Sequence, residues 1–202
     1  MTIKIEPQNF GKVIFVLGGP GVGKGTQCTA LTKGSNGSNS YVHLSAGDLL
    51  RAERSRPDSP YAAIINHNIQ QGTIVPYQIT IDLLKSAMKE HEGKCDFFLI
   101  DGFPRNVTQG IAFEDQVFPC SALLFFDCPE DILITRVINR SQTSGRDDDN
   151  FEAIRKRLVT YNQETLPVID HYEAQGKVFK IDCNDTIEAI SIKVKSILNK
   201  IK

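Results

Sequence analysis

The sequence predicts an α/β protein whose core is a doubly wound, five-stranded parallel sheet. Short apolar runs recur along the chain, at 13–17, 41–44, 97–100, 122–126 and 178–181. Continuous apolar runs of this length are typical of strands that are covered on both faces. Amphipathic helical patterns lie between them, and strands that alternate with helices form parallel sheets.

The helical patterns are apolar stripes with the spacing of successive helical turns. One stripe consists of Ile79, Leu83, Leu84, Ala87 and Met88. A second consists of Ile187, Ile190, Val194, Ile197, Leu198 and Ile201. We expect Asp185 with Glu188 to cap the second helix, and Pro129 to begin a further helix before two acidic residues.

A glycine-rich segment directly follows the first apolar run. It reads Gly18-Gly19-Pro20-Gly21-Val22-Gly23-Lys24-Gly25-Thr26. Glycines allow backbone conformations in which successive N–H groups converge on one anion at the positive end of the next helix. The spacing Gly18-x4-Gly23-Lys24 is that of a phosphate-binding P-loop. Because Gly25 follows the lysine, the hydroxyl available to magnesium comes one residue later, at Thr26.

Composition favours one globular domain over residues 11–202, with an N-terminal extension at 1–10. The formal net charge is −1, so the bulk charge gives no support for nucleic-acid binding. The five cysteines lack metal-binding spacing, and their odd number argues against a disulfide framework. Because no leader pattern or membrane-length apolar run is present, we expect a cytoplasmic protein, with the nucleus also open.

Two stretches fall outside the alternating pattern. The segment 45–75 is a helical insertion between the second and third strands, and 141–149 is a short polar segment between two helices. Both are placed where they could cover a site, which leaves 11–44, 76–140 and 150–202 as the core. At the end of the polar segment, Asp149 with Glu152 fits a helix cap as well as a role in closure.

The third apolar run is followed by Asp101-Gly102-Phe103-Pro104-Arg105. Since the carboxyl ends of parallel strands meet at one edge of the sheet, Asp101 should emerge close to the glycine loop. A carboxylate there can hold magnesium through water.

Arginines lie beside the loops of this edge or on the helices that flank the polar segment. They are Arg51, Arg105, Arg140, Arg146 and Arg157. A guanidinium binds phosphate oxygens in pairs and keeps its charge, so such a set suits a site that joins two phosphate-bearing ligands. The neighbouring Arg54, Arg56, Arg136 and Arg155 are better explained as solvated surface residues.

Together these motifs resemble the nucleoside monophosphate kinases of the adenylate kinase superfamily. The resemblance also includes Leu44-Ser45-Ala46-Gly47-Asp48-Leu49-Leu50-Arg51, Gly72-Thr73-Ile74-Val75-Pro76 and Thr143-Ser144-Gly145-Arg146-Asp147-Asp148-Asp149-Asn150. It runs from about Val13 to the last helix, in order. Within the superfamily the chain is most similar to the short-lid UMP/CMP kinases, through Ala46, Asn106 and the stretch Leu124-Phe125-Phe126-Asp127-Cys128.

The chain departs from the UMP/CMP kinase pattern at two positions. Gln109 stands where many of those kinases carry asparagine and adenylate kinases carry glutamine, so acceptance of AMP is an open alternative. Ser141 replaces a glycine at the lid hinge, and this change can stiffen the hinge or shift its angle.

The resemblance implies a set of site residues. Catalysis would fall to Lys24, Arg105, Arg140, Arg146 and Arg157. ATP would bind to Gly19, Pro20, Gly21, Val22, Gly23, Lys24, Gly25, Thr26 and Arg140, with its adenine near the loop after Ile181. The acceptor monophosphate would bind to Ala46, Arg51, Thr73, Ile74, Val75, Gly102, Phe103, Pro104, Arg105, Gln109, Arg146 and Arg157. Magnesium would be held by Thr26 and, through water, by Asp101.

The resemblance predicts transfer of the γ-phosphoryl group of MgATP to UMP or CMP, and to dCMP. We expect the protein to be a monomer and to have no nucleic-acid or membrane partners. One alternative is an adenylate kinase or a kinase of broad specificity, which Gln109 favours and Ala46 opposes. A second is a nucleotide-binding module that has lost catalysis. Such a module should lack Lys24, Asp101 or an arginine, and the sequence retains them all.

Overall fold

Five parallel strands form one sheet in the computed structural model, which describes residues 10–33, 40–142, 145 and 150–201. The strands are β1 (Lys12–Gly18), β2 (Tyr41–Ser45), β3 (Phe97–Asp101), β4 (Cys120–Asp127) and β5 (Val178–Asp182). Each contains one of the apolar runs. The predicted fold class, a doubly wound five-stranded parallel sheet, is confirmed.

The strand order β2-β3-β1-β4-β5 places β1 at the centre, with β3 on one side and β4 on the other. The chain winds first toward β2 and later toward β5, so the order reverses beside β1. In open α/β sheets a crevice forms at this point, beyond the carboxyl ends of the strands. Pairing of Asp101 with both Val16 and Ser45 aligns the ends of β1, β2 and β3.

Helices cover both faces of the sheet. They are α1 (Lys24–Lys33), α2 (Ala46–Ser55), α3 (Ala62–Gln71), α4 (Tyr77–Glu90), α5 (Val107–Gln116), α6 (Glu130–Ser141), α7 (Phe151–Thr160), α8 (Leu166–Glu173) and α9 (Ile187–Leu198). A π-helical turn, Tyr161–Thr165, joins α7 directly to α8. Both predicted apolar stripes form helices, α4 and α9, and Pro129 precedes α6 as expected.

The core has two parts, one on each face of the sheet, because successive residues of a strand point to opposite faces. Val13, Phe15 and Leu17 of β1 belong to one part, and Ile14 and Val16 belong to the other. In the first part the ring of Phe15 makes edge contacts with Phe103, Phe113 and Tyr172. The central strand is therefore buried on both sides, which explains its continuous apolar sequence.

Two predicted caps are replaced by neighbouring residues. Helix α9 is capped by Thr186, whose side chain accepts from the backbone N–H of Ala189, and not by Asp185. Asp185 instead accepts from the N–H of Thr186 and pairs with Lys193. Helix α7 is capped by Asn150. Asp149 lies outside the described residues, as do most of 141–149 and of the extension 1–10.

The insertion between β2 and β3 contains α2 and α3 and has a small apolar core of its own. Leu50, Ile65, Val75 and Ile79 form it. The end of α3 rests on α7, where the hydroxyl of Thr160 donates to the carbonyl oxygen of Gly72 at 2.8 Å. A Cβ atom on Gly72 would lie 2.9 Å from Cβ of Lys156, so the contact requires glycine.

No helix among the described residues is long and apolar enough to cross a membrane.

A comparison of two glycines tests the contact between α3 and α7. Gly72 and Gly93 both have a positive φ, 68° and 70°, but nothing lies within 4 Å of a Cβ built on Gly93. We expect Gly93→Ala to lower the free energy of unfolding by about 1 kcal/mol through backbone strain alone. Gly72→Ala should cost about 1–3 kcal/mol more because it also overpacks the contact with α7. Urea denaturation measures both, and equal losses would contradict the close packing of α3 on α7.

Candidate active site

A cavity of about 830 Å³ lies at the carboxyl edge of the sheet. Its walls come from the glycine loop, β2, α2, the segment after β3, α6, α7 and the first turn of α9. Most predicted site residues line it: Pro20, Gly21, Val22, Gly23, Lys24, Gly25, Thr26, Arg51, Asp101, Gly102, Arg105, Arg140 and Arg157. Residues far apart in sequence are thus brought to the crevice that the strand order creates.

The glycine loop is shaped by close packing against α6. Gly21 has a φ of 84°, and a Cβ atom there would lie 2.5 Å from Val137 and 2.8 Å from the carbonyl oxygen of Leu133. A Cβ on Gly19 would lie 2.4 Å from a methyl group of Leu133. Because the loop lies directly on α6, Arg140 in the last turn of that helix is brought over the same cavity.

Lys24 folds back over its own loop. Its Nζ donates to the carbonyl oxygens of Gly18 at 2.7 Å and Gly19 at 3.0 Å. Burial lowers the pKa of Lys24 to about 8, Asp101 opposes that shift, and the positive charges of Arg157, Arg105 and Arg140 add to it. The lysine therefore lies among other positive charges, and an anionic ligand would offset the repulsion between them.

Asp101 ends β3 beside the glycine loop, as the sequence predicts. Its Oδ2 lies 3.4 Å from the position of a Cβ on Gly25 and 3.3 Å from Nε2 of His43. His43 also lines the cavity, although its sequence position carries no ligand spacing. The sequence does contain one signal for His43: it is a polar residue near the carboxyl end of an otherwise apolar strand.

Two of the arginines are positioned by local contacts. Arg51 pairs with Asp48 on the same face of α2, and its guanidinium lies 3.2 Å from the position of a Cβ on Gly47. The side chain of Arg105 is half-buried, and both its backbone N–H and its carbonyl are bonded to side chains. Arg146 lies outside the described residues.

Two further residues of the cavity wall make long-range hydrogen bonds that sequence patterns did not indicate. Arg136, one turn before Arg140, donates to the carbonyl oxygens of Val22 at 3.5 Å and Cys183 at 3.0 Å. It therefore joins the glycine loop to the end of β5, and its interpretation as a solvated surface residue is wrong. Gln27 of α1 donates to the carbonyl oxygen of Ile187, which begins α9. Among the described buried side chains, Oε1 of Gln27 is the only oxygen or nitrogen without a hydrogen-bond partner.

The remaining predicted residues are not among those that line the cavity: Gly19, Ala46, Thr73, Ile74, Val75, Phe103, Pro104 and Gln109. Ala46 and Phe103 are buried in the main core, and Val75 is buried in the small core of the insertion. Gln109 is only 2% exposed, and its Oε1 accepts from the N–H of Arg105 at 2.8 Å. Asn106 caps α5 by accepting from the N–H of Gln109, so the two side chains resemble a capping box.

The described residues contain no group of three or more His, Cys, Asp or Glu side chains that could hold a metal ion. Thr26 and Asp101 are nevertheless suitable partners for magnesium when phosphate oxygens complete its shell. A hydroxyl and a carboxylate are the hard oxygen donors that this ion prefers, and few protein ligands are usual in phosphoryl-transfer sites.

A P-loop on a doubly wound parallel sheet, facing arginines from three helices and a loop, defines a P-loop nucleotide-binding protein. The sequence pattern of the adenylate kinase family matches residues 16–177. The chain belongs to the adenylate kinase family.

Similar proteins with high coverage carry related names. The chain is 49% identical to a uridylate kinase of Saccharomyces cerevisiae over 88% of this chain and 86% of the relative. It is 49% identical to a UMP-CMP kinase of Danio rerio, over 94% and 97%. It is also 47% identical to an adenylate kinase 1 of Schistosoma mansoni, over 94% and 93%.

The low pKa of Lys24 predicts a pH dependence of ATP binding. Bound phosphates should keep the ammonium protonated, whereas the ligand-free lysine loses its proton near pH 8. The complex then retains a proton that the free protein has released. The Kd for ATP should therefore rise as the pH increases through about 8, approaching tenfold per pH unit.

Isothermal titration calorimetry from about pH 7 to pH 9.5 measures this dependence. The matched variant is Lys24→Arg, which stays charged throughout this range and should give a flatter profile. A wild-type Kd that is constant up to pH 9.5, or the same slope in both proteins, would contradict the assignment to Lys24.

Proposed function

We propose that this protein is an ATP-dependent nucleoside monophosphate kinase, which transfers the γ-phosphoryl group of MgATP to UMP or CMP and yields two diphosphates. The observation that carries the proposal is one cavity with two sets of phosphate-binding groups. Lys24 and its loop provide one set, and Arg51 of α2 and Arg105 of the loop before α5 provide the other. The names of several relatives at 46–49% identity support pyrimidine acceptors.

The donor triphosphate would lie on residues 19–26 with Arg140 against its phosphates. From the glycine loop the cavity extends along α1 to Asp185, Ile187 and Ile190. Aliphatic side chains next to the amide of Gln27 suit a flat base with polar edges, so we place the adenine in this arm.

The acceptor phosphate would be bound by Arg51, Arg105, Arg146 and Arg157, with its base against 73–75 and Gln109. Because Oε1 of Gln109 already accepts from Arg105, the amide nitrogen is the group most free to meet a base. An N–H group can donate a hydrogen bond to N3 of cytosine, to O4 of uracil and to N1 of adenine alike. Gln109 therefore gives adenine little advantage over the pyrimidines.

Positioning and charge stabilisation account for the chemistry without a general base. The second pKa of a phosphate monoester is about 6, so the acceptor is mostly dianionic at neutral pH and can attack directly. Lys24, Arg105, Arg140, Arg146 and Arg157 would offset the negative charge on the transferring oxygens. Magnesium, when bound to Thr26 and through water to Asp101, supplies further charge neutralisation between the donor phosphates.

Residues 11–202 would act as one domain in which two segments exclude water. The insertion at 45–75 would close over the acceptor and 141–149 over both nucleotides, since water in the site would hydrolyse ATP. The insertion contains α2, which carries Arg51, and the segment 141–149 lies in sequence between α6 and α7, which carry Arg140 and Arg157. We propose a monomer in the cytoplasm or nucleus, where the five free cysteines would stay reduced.

Adenylate kinase activity is the second candidate. It is favoured by the relative from Schistosoma mansoni that is named adenylate kinase 1. Gln109 favours it by resemblance alone, because its amide nitrogen can donate to adenine and to the pyrimidines alike. Ala46 opposes it by resemblance, and the loss of a hydroxyl at this position removes a polar group that a base could otherwise meet.

Initial rates with MgATP and UMP, CMP, dCMP or AMP test the substrate class. We expect kcat/KM for UMP and CMP to exceed that for AMP by at least about tenfold, which corresponds to about 1.4 kcal/mol. If AMP matches or exceeds the pyrimidines, the chain is an adenylate kinase or has broad specificity. Absence of transfer to every monophosphate would refute the kinase proposal.

Removal of the Lys24 ammonium tests the proposed mechanism. Lys24→Met keeps the length of the side chain and should lower kcat by about three orders of magnitude or more, because charge stabilisation dominates phosphoryl transfer. Circular dichroism should show an intact fold. Lys180→Met is the matched control, since Lys180 pairs with Glu173 on the exposed surface and neither residue lines the cavity. Near-normal turnover in Lys24→Met would contradict this role.

A further inference from the structure

Both backbone polar groups of Arg105 are bonded by buried side chains from different elements. Its N–H donates to Oε1 of Gln109 at 2.8 Å, and its carbonyl oxygen accepts from the hydroxyl of Thr165 at 2.9 Å. Gln109 is 2% exposed and Thr165 is 7% exposed. They are two of the few buried polar residues in the described chain, and both contact the same peptide segment.

Thr165 reaches this carbonyl because a π-helical turn precedes α8. The turn spans Tyr161–Thr165, and the N–H of Leu166 donates to the carbonyl oxygen of Tyr161, five residues earlier. The extra residue shifts the side chains that follow relative to those of an unbroken α-helix, and such turns are frequent at functional sites. The hydroxyl of Thr165 is thereby placed against the loop between β3 and α5.

The side chain of Arg105 also bonds its own loop. The Nε of its own side chain donates to the carbonyl oxygen of Gly102 at 3.4 Å, a long hydrogen bond. A guanidinium at the end of a flexible side chain is placed accurately only if its backbone is held. The bonds from Gln109 and Thr165 hold that backbone from both sides.

The same helical run carries a second arginine of the cavity. Arg157 lies on α7, two turns before Thr165, and α7 continues through the π-helical turn into α8. The bond from Thr165 to Arg105 therefore fixes the loop of one arginine relative to the helix of another. We propose that Thr165 is a positioning residue that sets Arg105 for the acceptor monophosphate, an inference that rests on the proposed function.

A purely structural role of Thr165 predicts kinetic results that differ from those of a positioning role. If the hydroxyl merely satisfies a buried carbonyl, its loss should lower stability and leave the kinetic constants unchanged. If it positions Arg105, its loss should affect the acceptor nucleotide selectively, because ATP is assigned to a different set of groups, Lys24 with its loop and Arg140.

The test compares Thr165→Val with Thr165→Ser. Valine has nearly the same shape but leaves the carbonyl of Arg105 unpaired, whereas serine keeps the hydroxyl. We expect Thr165→Val to raise KM for UMP about tenfold, the scale of one unsatisfied buried hydrogen-bonding group. KM for ATP should stay within about twofold of wild type, and Thr165→Ser should restore most of the affinity for UMP.

Thr135→Val is the matched control for removal of a threonine hydroxyl from a helix. Thr135 is exposed on α6, and its hydroxyl bonds only the carbonyl oxygen of Asp131 in the preceding turn. This variant should leave both KM values unchanged. The melting temperatures of all variants separate lost stability from lost positioning.

A double-mutant cycle tests whether Thr165 acts through Arg105. In the background of Arg105→Lys, where the guanidinium is absent, Thr165→Val should raise KM for UMP by less than about twofold. The proposal is overturned if the two effects multiply independently, if KM for ATP rises as much as KM for UMP, or if Thr165→Val changes only the melting temperature.

Direct binding separates this proposal from the proposed function. UMP binding to each protein is measured by calorimetry without ATP. If wild type binds UMP and Thr165→Val binds it about tenfold more weakly, the positioning role stands even where no phosphoryl transfer is detected. If wild type transfers phosphoryl groups but UMP binds both proteins equally, the proposed function stands and the positioning role fails. Absence of UMP binding to wild type refutes both.

Discussion

The hydrogen bonds from Lys24 to the carbonyl oxygens of Gly18 and Gly19 hold together the centre of the cavity. They require a loop that folds back under the lysine, and the left-handed conformations of Gly21 and Gly23 permit that fold. The loop in turn rests on α6 with no room for a side chain at Gly19 or Gly21. One glycine-rich turn thus fixes both the lysine and the helix that carries Arg140.

Positive charge is concentrated around this loop at an energetic cost. Burial and the neighbouring Arg157, Arg105 and Arg140 all lower the pKa of Lys24, and Asp101 opposes the shift. Such a site is least favourable when empty and is stabilised by anions. Binding of phosphates therefore relieves repulsion that the fold itself maintains, which suits a reaction that depends on charge stabilisation.

Several polar side chains around the cavity bond backbone groups of distant elements. Arg136 bonds the carbonyls of Val22 and Cys183, Gln27 bonds that of Ile187, and Thr165 bonds that of Arg105. Several cavity residues lie in loops, and loops have few hydrogen bonds within themselves. These long-range bonds supply the rigidity that secondary structure provides elsewhere in the fold.

Local patterns determined the architecture and much of the cavity. Apolar runs located all five strands. The runs in β1, β3 and β4 are buried on both faces, whereas those in β2 and β5 at the edges of the sheet each contain one polar residue, His43 and Lys180. The P-loop, Asp101 and Arg51, Arg105, Arg140 and Arg157 were predictable because parallel strands end at one edge of the sheet. Arg146 and the lid remain predictions. Only the tertiary structure decided the roles of His43, Arg136 and Thr165, and showed that Ala46 and Gln109 are buried and are not among the lining residues. The contacts of His43, Arg136 and Thr165 join residues tens of positions apart, and periodicity within a short window carries no information about such pairs.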